Sequence, residues 1–299
     1  MDRLPDTLRL GTAHLTVTSL DRALPFYRGA LGLRLHWRDG ASAGVGTGND
    51  DLIVLTENPD ARPAGRHAGL YHVAILHPSH EALAHAALRL ARTRTPILGA
   101  SDHGTHDAIY LPDPDGNELE LAADNAREQW PDFSEAYAHG PRPLDLHSLV
   151  AEVASAEPHE FVEARTAIGH IHLFVGDVDE AVRFYGGALG FEEQMRLPTA
   201  SFLSAGGYHH HVAVNVWRGE GIPPAPANVV GLRHWTVVLD EQAQVDEVVD
   251  RVRAAGYEVE ERDDGALVRD PWNIALLLTE SGSTLAARPR SSVDRAAVS

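Results

Sequence analysis

The chain has 299 residues, 43% of them apolar, which is enough for two domains with ordinary hydrophobic cores. Its formal charge of −18 disfavours nucleic acid and anionic membranes, and no basic stripe offsets it. The absence of cysteine excludes disulfides, zinc–thiolate sites and thiol nucleophiles, which leaves histidines and carboxylates as ligands for any metal.

No apolar run approaches the roughly 20 residues that cross a bilayer. The opening stretch MDRLPDTLRLG carries proline and charge where a secretory signal would be apolar. A cytoplasmic protein acting on a small, uncharged molecule is the expectation.

In chain order, HLTVTSLDRALPFYRGALGL at 14–33 predicts a strand and then a helix, and VGTG and DLIVLTE predict short strands after it. The next segment gives a strand YHVAIL, an Ala-rich helix from His80 to Ala91, a strand AIYL, a turn PDPDGN and a strand ELEL. From about Asp124 to Thr166 the connection is too long for a simple loop. It opens with DNAREQWPDF, a segment suited to cover a cavity, and LDLHSLVAEVA within it has helical periodicity. His170 to Val175 then predicts a strand, and Asp177 with Glu180 three residues on forms a capping box. Ala181, Phe184, Tyr185, Ala188 and Leu189 make one apolar helix face, which Gly190 ends. SFLSAGG, HHVAVNVW and GLRHWTVVL read as further strands, and the small, polar residues 281–299 as a disordered tail.

An internal repeat organises these elements. Residues 14–33 match HLFVGDVDEAVRFYGGALGF at 172–191 without a gap, and GLYHVAIL at 69–76 aligns with GLRHWTVVL at 231–239. The chain is thus two halves, 8–124 and 167–280, joined by a linker at 125–166 with a helical segment, and each half is two βαβββ units.

This pattern resembles the vicinal oxygen chelate superfamily, on GHIHLFVGDVDEAVRFYGGALGF, GLYH and DPDGNELEL in that order. Within it the chain is most similar to the two-domain, catechol 2,3-dioxygenase-like extradiol branch. The resemblance implies an α+β fold, with four βαβββ modules forming two paired, funnel-like curled β-sheets and helices outside. It also implies a metal held inside a funnel. The opening-strand ligand matches His170, with Thr12 in the same place in the first half and His14 aligned with His172. The second ligand matches His72 and, in the other half, His234. The third is Glu120, whose counterpart falls at or beside Leu276.

Neither half alone holds two histidines and a carboxylate, the set that suits Fe(II) while leaving positions open. The triad implied is His72, Glu120 and His170, which requires the second unit to pair with the third. Exchange between two chains of a homo-oligomer would satisfy the same requirement. Mn(II) accepts the same ligands.

Three consecutive histidines stand at 209–211. If that stretch is extended, His209 and His211 share one face and His210 takes the other. The family places a catalytic histidine in such a stretch, FLSAGGYHHH here, which points to His210 with His209 and His211 as rivals. Tyr110, ten residues before Glu120, and His103 match the family's hydrogen-bonding residues. His67, His77, His80, His106, His139 and His147 read as ordinary surface or loop residues, and Trp235 and Trp272 as core. The activity implied is Fe(II)-dependent extradiol cleavage of catechol or a substituted catechol by O2. A glyoxalase-type metal-dependent isomerase or lyase, which would more often use a second carboxylate, and a metal-free binding protein are the alternatives.

Overall fold

The computed structural model describes residues 3–48, 50–132, 140–156 and 159–282. Of the tail expected at 281–299, only Ser281 and Gly282 are described; His139 and Phe133 also lie outside the described residues. After a short β1 (Arg9–Leu10), the first module is β2 (Ala13–Val17), α1 (Leu20–Pro25), β3 (Arg34–Asp39), β4 (Ser42–Thr47) and β5 (Asp50–Glu57). The second is β6 (Gly69–His77), α2 (His80–Thr93), β7 (Gly99–Asp102), β8 (His106–Pro112) and β9 (Glu118–Asp124). The linker contributes a 3-10 turn at Arg127–Gln129, β10 (Arg142–Pro143) and α3 (Leu146–Ala151), the last capped by Asp145. The third module is β11 (Ala167–Phe174), α4 (Val178–Val182), β12 (Glu192–Leu197), β13 (Ala200–Ser204) and β14 (Val212–Asn215). The fourth is β15 (Gly231–Leu239), α5 (Gln242–Ala254), β16 (Val259–Arg262), β17 (Gly265–Arg269) and β18 (Ala275–Glu280).

Two nine-stranded sheets result, and each takes one module from either half. The second and third modules form the order β10-β7-β8-β9-β6-β11-β14-β13-β12, with β6 and β11 antiparallel at the centre. The first and fourth form β16-β17-β18-β15-β2-β5-β4-β3, with β1 added beside β15. Both pairings are made within one chain. Alternation along the strands gives each sheet an apolar face toward the helices: Val73, Ile75, Leu119, Leu121, Ile171 and Leu173 share one core with Leu83 and Phe184. The opposite face of each sheet mixes polar residues with a small apolar cluster, Ala200, Phe202 and Ala213 on one and Leu267, Ala275 and Leu277 on the other.

The recurrent FY…ALG signature has a structural meaning that periodicity alone does not give. α1 and α4 both loosen into π-turns, Phe26–Ala30 and Arg183–Ala188, closed by Leu31 N to Phe26 O (3.1 Å) and Leu189 N to Phe184 O (3.0 Å). Each turn buries a tyrosine whose hydroxyl donates to an aspartate of another module: Tyr27 to Asp113 Oδ2 (2.9 Å) and Tyr185 to Asp270 Oδ2 (3.1 Å). Asp113 Oδ1 also accepts from the amides of Asp115 and Asn117. The DPDGN turn is therefore clamped from both sides, which fixes the start of β9. Gly32 must be glycine: its φ is +74°, and a Cβ there would lie 2.6 Å from the buried Arg89 guanidinium. Among the described residues no helix is long and apolar enough to cross a membrane.

Candidate metal centre

On the polar face of the sheet shared by the second and third modules, β6, β9 and β11 each contribute one donor. Glu120 and His170 both pair in register with Ala74, the first through the parallel β6–β9 ladder and the second across the antiparallel β6–β11 ladder. His72 lies two residues before Ala74, on the same face. His72 Nε2 is 3.1 Å from Glu120 Oε2 and 3.2 Å from His170 Nε2, and His170 Nε2 is 3.3 Å from Glu120 Oε2. All three side chains are buried, with 3%, 1% and 2% of His72, Glu120 and His170 exposed.

These distances test whether the trio fits a cation. Ligand bonds of about 2.1 Å at right angles give donor separations of about 3.0 Å, and tetrahedral angles give about 3.4 Å. The observed triangle falls between the two. Two imidazole nitrogens and a carboxylate oxygen facing one point leave lone pairs without enough protons between them, and a cation satisfies all three. Among the described residues this is the one group of three such side chains that closes on a point. Burial alone would push the Glu120 carboxyl up, but His170, His106 and His72 hold it well below the usual range, so it stays anionic.

Around the trio stands a ring of further histidines. His210 packs its ring 4.0 Å from that of His170. Tyr110 pairs in register with Glu120, lies 5.6 Å ring to ring from His72, and its hydroxyl is 2.8 Å from His103 Nε2. His103 is pushed down to about 4 by burial.

The 209–211 stretch corrects one expectation. It is not extended strand: Gly206 and Gly207 take φ of +61° and +62°, and the segment loops between β13 and β14. The alternation of faces therefore fails, and His209 and His210 both turn toward the trio while His211 accepts from the Ala205 amide beside Phe191. His209 Nε2 is 3.1 Å from Asp124 Oδ1, and Tyr208 donates to Asp124 Oδ2 at 3.0 Å. His209 Nδ1 is 2.8 Å from His210 Nδ1. Burial holds both imidazoles well below the usual histidine range, so both are neutral. Proton positions then follow by elimination. Burial pushes the Asp124 carboxyl up, against His106, Tyr208 and His170, which favour its anion. In its ionised form Asp124 only accepts, so His209 then carries its proton on Nε2; His209 Nδ1 must accept, so His210 donates from Nδ1 and keeps a lone pair on Nε2.

Several residues escaped the sequence reading. His106 is buried, not a surface residue: its Nε2 is 3.3 Å from Glu120 Oε1, and its ring stacks between His103 and His209, 4.6 Å from each. Counting back by twos from Tyr110 along β8 would have put it on this face. His77 is likewise buried, on a strand end under α2. His67 and His80 are half-buried and His147 is exposed. His172 pairs with His72 across the sheet, but its Nε2 is bonded by Asn215 Nδ2 at 2.9 Å, so it stands beside the trio and not in it. Tyr71 and the half-exposed Trp217 pack edge to face next to His172 and form an aromatic margin. From the linker, Trp130 lies 5.3 Å from His209, ring to ring.

The other sheet repeats the scaffold without the donors. His14 pairs with His234, as His172 does with His72, and the two rings stack at 3.8 Å. Thr12 takes the place of His170. The counterpart of Glu120 is Leu277, which pairs with Thr236 as Glu120 pairs with Ala74; Leu276 points into the core. A cleft of about 1130 Å³ opens on this second sheet. Size does not decide where metal chemistry can occur, since a threonine and a leucine at the ligand positions cannot hold a divalent cation.

A family model described as the Glyoxalase/Bleomycin resistance protein/Dioxygenase superfamily matches residues 9–121 and 167–276. The chain is 40% identical over 277 residues to catechol-2,3-dioxygenase of Bacillus subtilis (strain 168), with 91% of this chain and 96% of that protein covered. A solved protein of Bacillus subtilis subsp. subtilis str. 168 has the same fold with a TM-score of 0.64 at 17% identity, covering 93% of this chain and 87% of that one. Glyoxalase I from Zea mays matches with a TM-score of 0.59 at 18% identity, covering 92% of both. At such identities the solved structures bear on fold alone.

Proposed function

Because the chain belongs to the glyoxalase/bleomycin resistance protein/dioxygenase superfamily, and turns two imidazoles and one carboxylate on a single point, we propose that it is an Fe(II)-dependent extradiol dioxygenase of catechol or a substituted catechol. The observation that carries this reading is the buried triangle of His72 Nε2, His170 Nε2 and Glu120 Oε2. Its 40% identity to a protein named catechol-2,3-dioxygenase supports the choice of substrate class.

Held by those three atoms, Fe(II) would supply a redox-active Lewis acid with open positions for both catechol oxygens and dioxygen, and Mn(II) fits the same donors. The protein's own groups do the rest. His210 Nε2, left with a lone pair by the Asp124–His209 chain, takes a substrate hydroxyl proton and returns it later. The Tyr110 hydroxyl, oriented by His103 Nε2, donates to a substrate oxygen. Tyr71 and Trp217 offer ring faces and edges against which an aromatic substrate packs. Burial of the trio keeps bulk water from the reacting atoms.

A glyoxalase-type isomerase would call on a second carboxylate ligand. Of the acidic neighbours on this face, Asp124 is instead engaged by Tyr208 and His209, and Glu118 does not join the group of donors that closes on one point. A purely binding role gives no account of the triangle.

The test is aerobic incubation of the Fe(II)-loaded protein with catechol. A yellow ring-opened semialdehyde is the expected product, and absence of colour across a panel of substituted catechols would overturn the proposal.

A further inference from the structure

The face of the sheet made by the first and fourth modules has lost its metal donors but not its cavity. The cleft there, about 1130 Å³, is far larger than a single ring requires and lies just above the range of about 300–1,000 Å³ usual for small-molecule sites. Its walls are mixed. Leu52, Val54 and Leu277 supply apolar surface, and His14, stacked on His234, and Trp37 supply aromatic surface. Burial pushes His14 down to about 3 and His234 to about 4, so these imidazoles are neutral.

Two hydroxyls covered by the walls of this cleft are unspent. Thr166, on the approach to β11, is 3% exposed, and Thr279, on β18, is 2% exposed; both line the cleft, and neither Oγ1 has a hydrogen-bond partner among the described residues. The neighbouring threonines differ: Thr12 donates to the Asp51 carbonyl and Thr47 to the Thr166 carbonyl. Burying a hydroxyl unpaired costs stability, so a persistent pair of them calls for an explanation in a missing partner. The accessible charges around the cleft include the carboxylates of Asp39, Asp50, Asp264 and Glu280 against Arg9 and Arg165, a balance that repels anions.

We propose that this cleft is a second ligand site, separate from the metal centre, which takes an uncharged organic molecule of more than one ring carrying hydroxyl groups. Volume excludes a lone ring as a snug fit, the apolar and aromatic walls receive the rings, and Thr166 and Thr279, turning their covered hydroxyls outward about χ1, receive the hydroxyls. Nothing in the site requires the hydroxyls to be adjacent, because no cation can be held between Thr12 and Leu277.

Bisphenol A has two rings and two phenols too far apart to chelate iron, and it is neutral at pH 7. Calorimetric titration of it into the Fe(II)-loaded full chain should show one molecule bound per chain. Thr279→Val should weaken binding about 10-fold, on the scale of one hydrogen bond, while melting at or above the wild-type temperature, because the lost hydroxyl had no partner in the free protein. Ser42→Trp, which fills the cleft from β4, should abolish binding. Glu120→Ala should leave it unchanged. No binding to the wild type would overturn the proposal, as would binding lost in Glu120→Ala but kept in Ser42→Trp, which would put the ligand at the metal centre. Binding seen only after removal of residues 283–299 would also overturn it, since the cleft would then belong to the chain's own terminal segment. If Ser42→Trp does not fold, an unchanged affinity in Thr279→Val is the refuting result.

Discussion

Replacing Asp124 by Asn removes the group that, in the proposed mechanism, sets the proton positions on the two imidazoles beside the proposed metal centre. With Asp124 ionised, the carboxylate 3.1 Å from His209 Nε2 accepts from it, His209 Nδ1 accepts from His210 Nδ1 across 2.8 Å, and the His210 lone pair is left on Nε2. An Asn amide has the same size and can donate to His209 Nε2. Donation inverts the chain: His209 then donates from Nδ1, His210 accepts there, and its proton moves to Nε2. A base becomes a donor. Loss of an outer-shell partner costs about 10- to 100-fold, and complete inversion of a catalytic imidazole in a serine protease costs about 10⁴-fold. Here one imidazole stands between the substitution and the reacting group, so kcat should fall about 10²-fold, or about 2.7 kcal/mol in the barrier. The assay is oxygen uptake with catechol, with iron content measured on the same samples. A kcat within about twofold of wild type at equal iron occupancy would refute the proton chain. A loss of activity matched by an equal loss of iron would refute it too, by placing the effect on the metal.

Further outcomes follow from the same geometry. Glu120→Ala and His72→Ala should lose bound iron and activity together, whereas His234→Ala should keep both; iron analysis after gel filtration separates them. Leu276→Ala should cost about 2–5 kcal/mol in urea denaturation, as for a leucine 1% exposed in the core, with iron content unchanged. His210→Ala should keep its iron but slow turnover by about 10²-fold or more, and full activity would remove its role. His77, on the face of β6 opposite the proposed metal ligands, is pushed by burial from 6.5 to about 3. The unfolded chain therefore binds a proton that the folded chain refuses between those values, so stability is complete above pH 6.5 and falls with acidity at about 1.4 kcal/mol per pH unit. His77→Leu should make that acid limb shallower by this slope; an identical slope would contradict the assignment.

Much of the architecture was readable in the sequence because it is written twice. The gapless match of 14–33 with 172–191 reports a shared strand, helix and glycine stop, and the structure adds why the match is so close: both copies form the same π-turn and aim the same tyrosine at an aspartate. Incomplete donor sets in the two halves already required the second module to meet the third, and the central β6–β11 ladder is that meeting.

What stayed hidden depended on backbone conformation that residue type alone does not fix. Two glycines with positive φ break the alternation before His209, so neighbours that a strand would separate end on one side. The counterpart of Glu120 falls at or beside Leu276 in the sequence, and the strand register selects Leu277. In the structure Asn273 has φ of +65° and does the work of Gly116, at φ of +89°, which moves the equivalent position to Leu277. His106 was passed over because a histidine at a strand start carries no signal until the strand's facing is known.

The most direct measurement of the central claim is anomalous diffraction at the iron edge from crystals of the Fe(II)-loaded protein. The account predicts one strong peak per chain, within bonding distance of His72 Nε2, His170 Nε2 and Glu120 Oε2. A peak at His14 and His234 instead, or none at these three atoms under full loading, would contradict it.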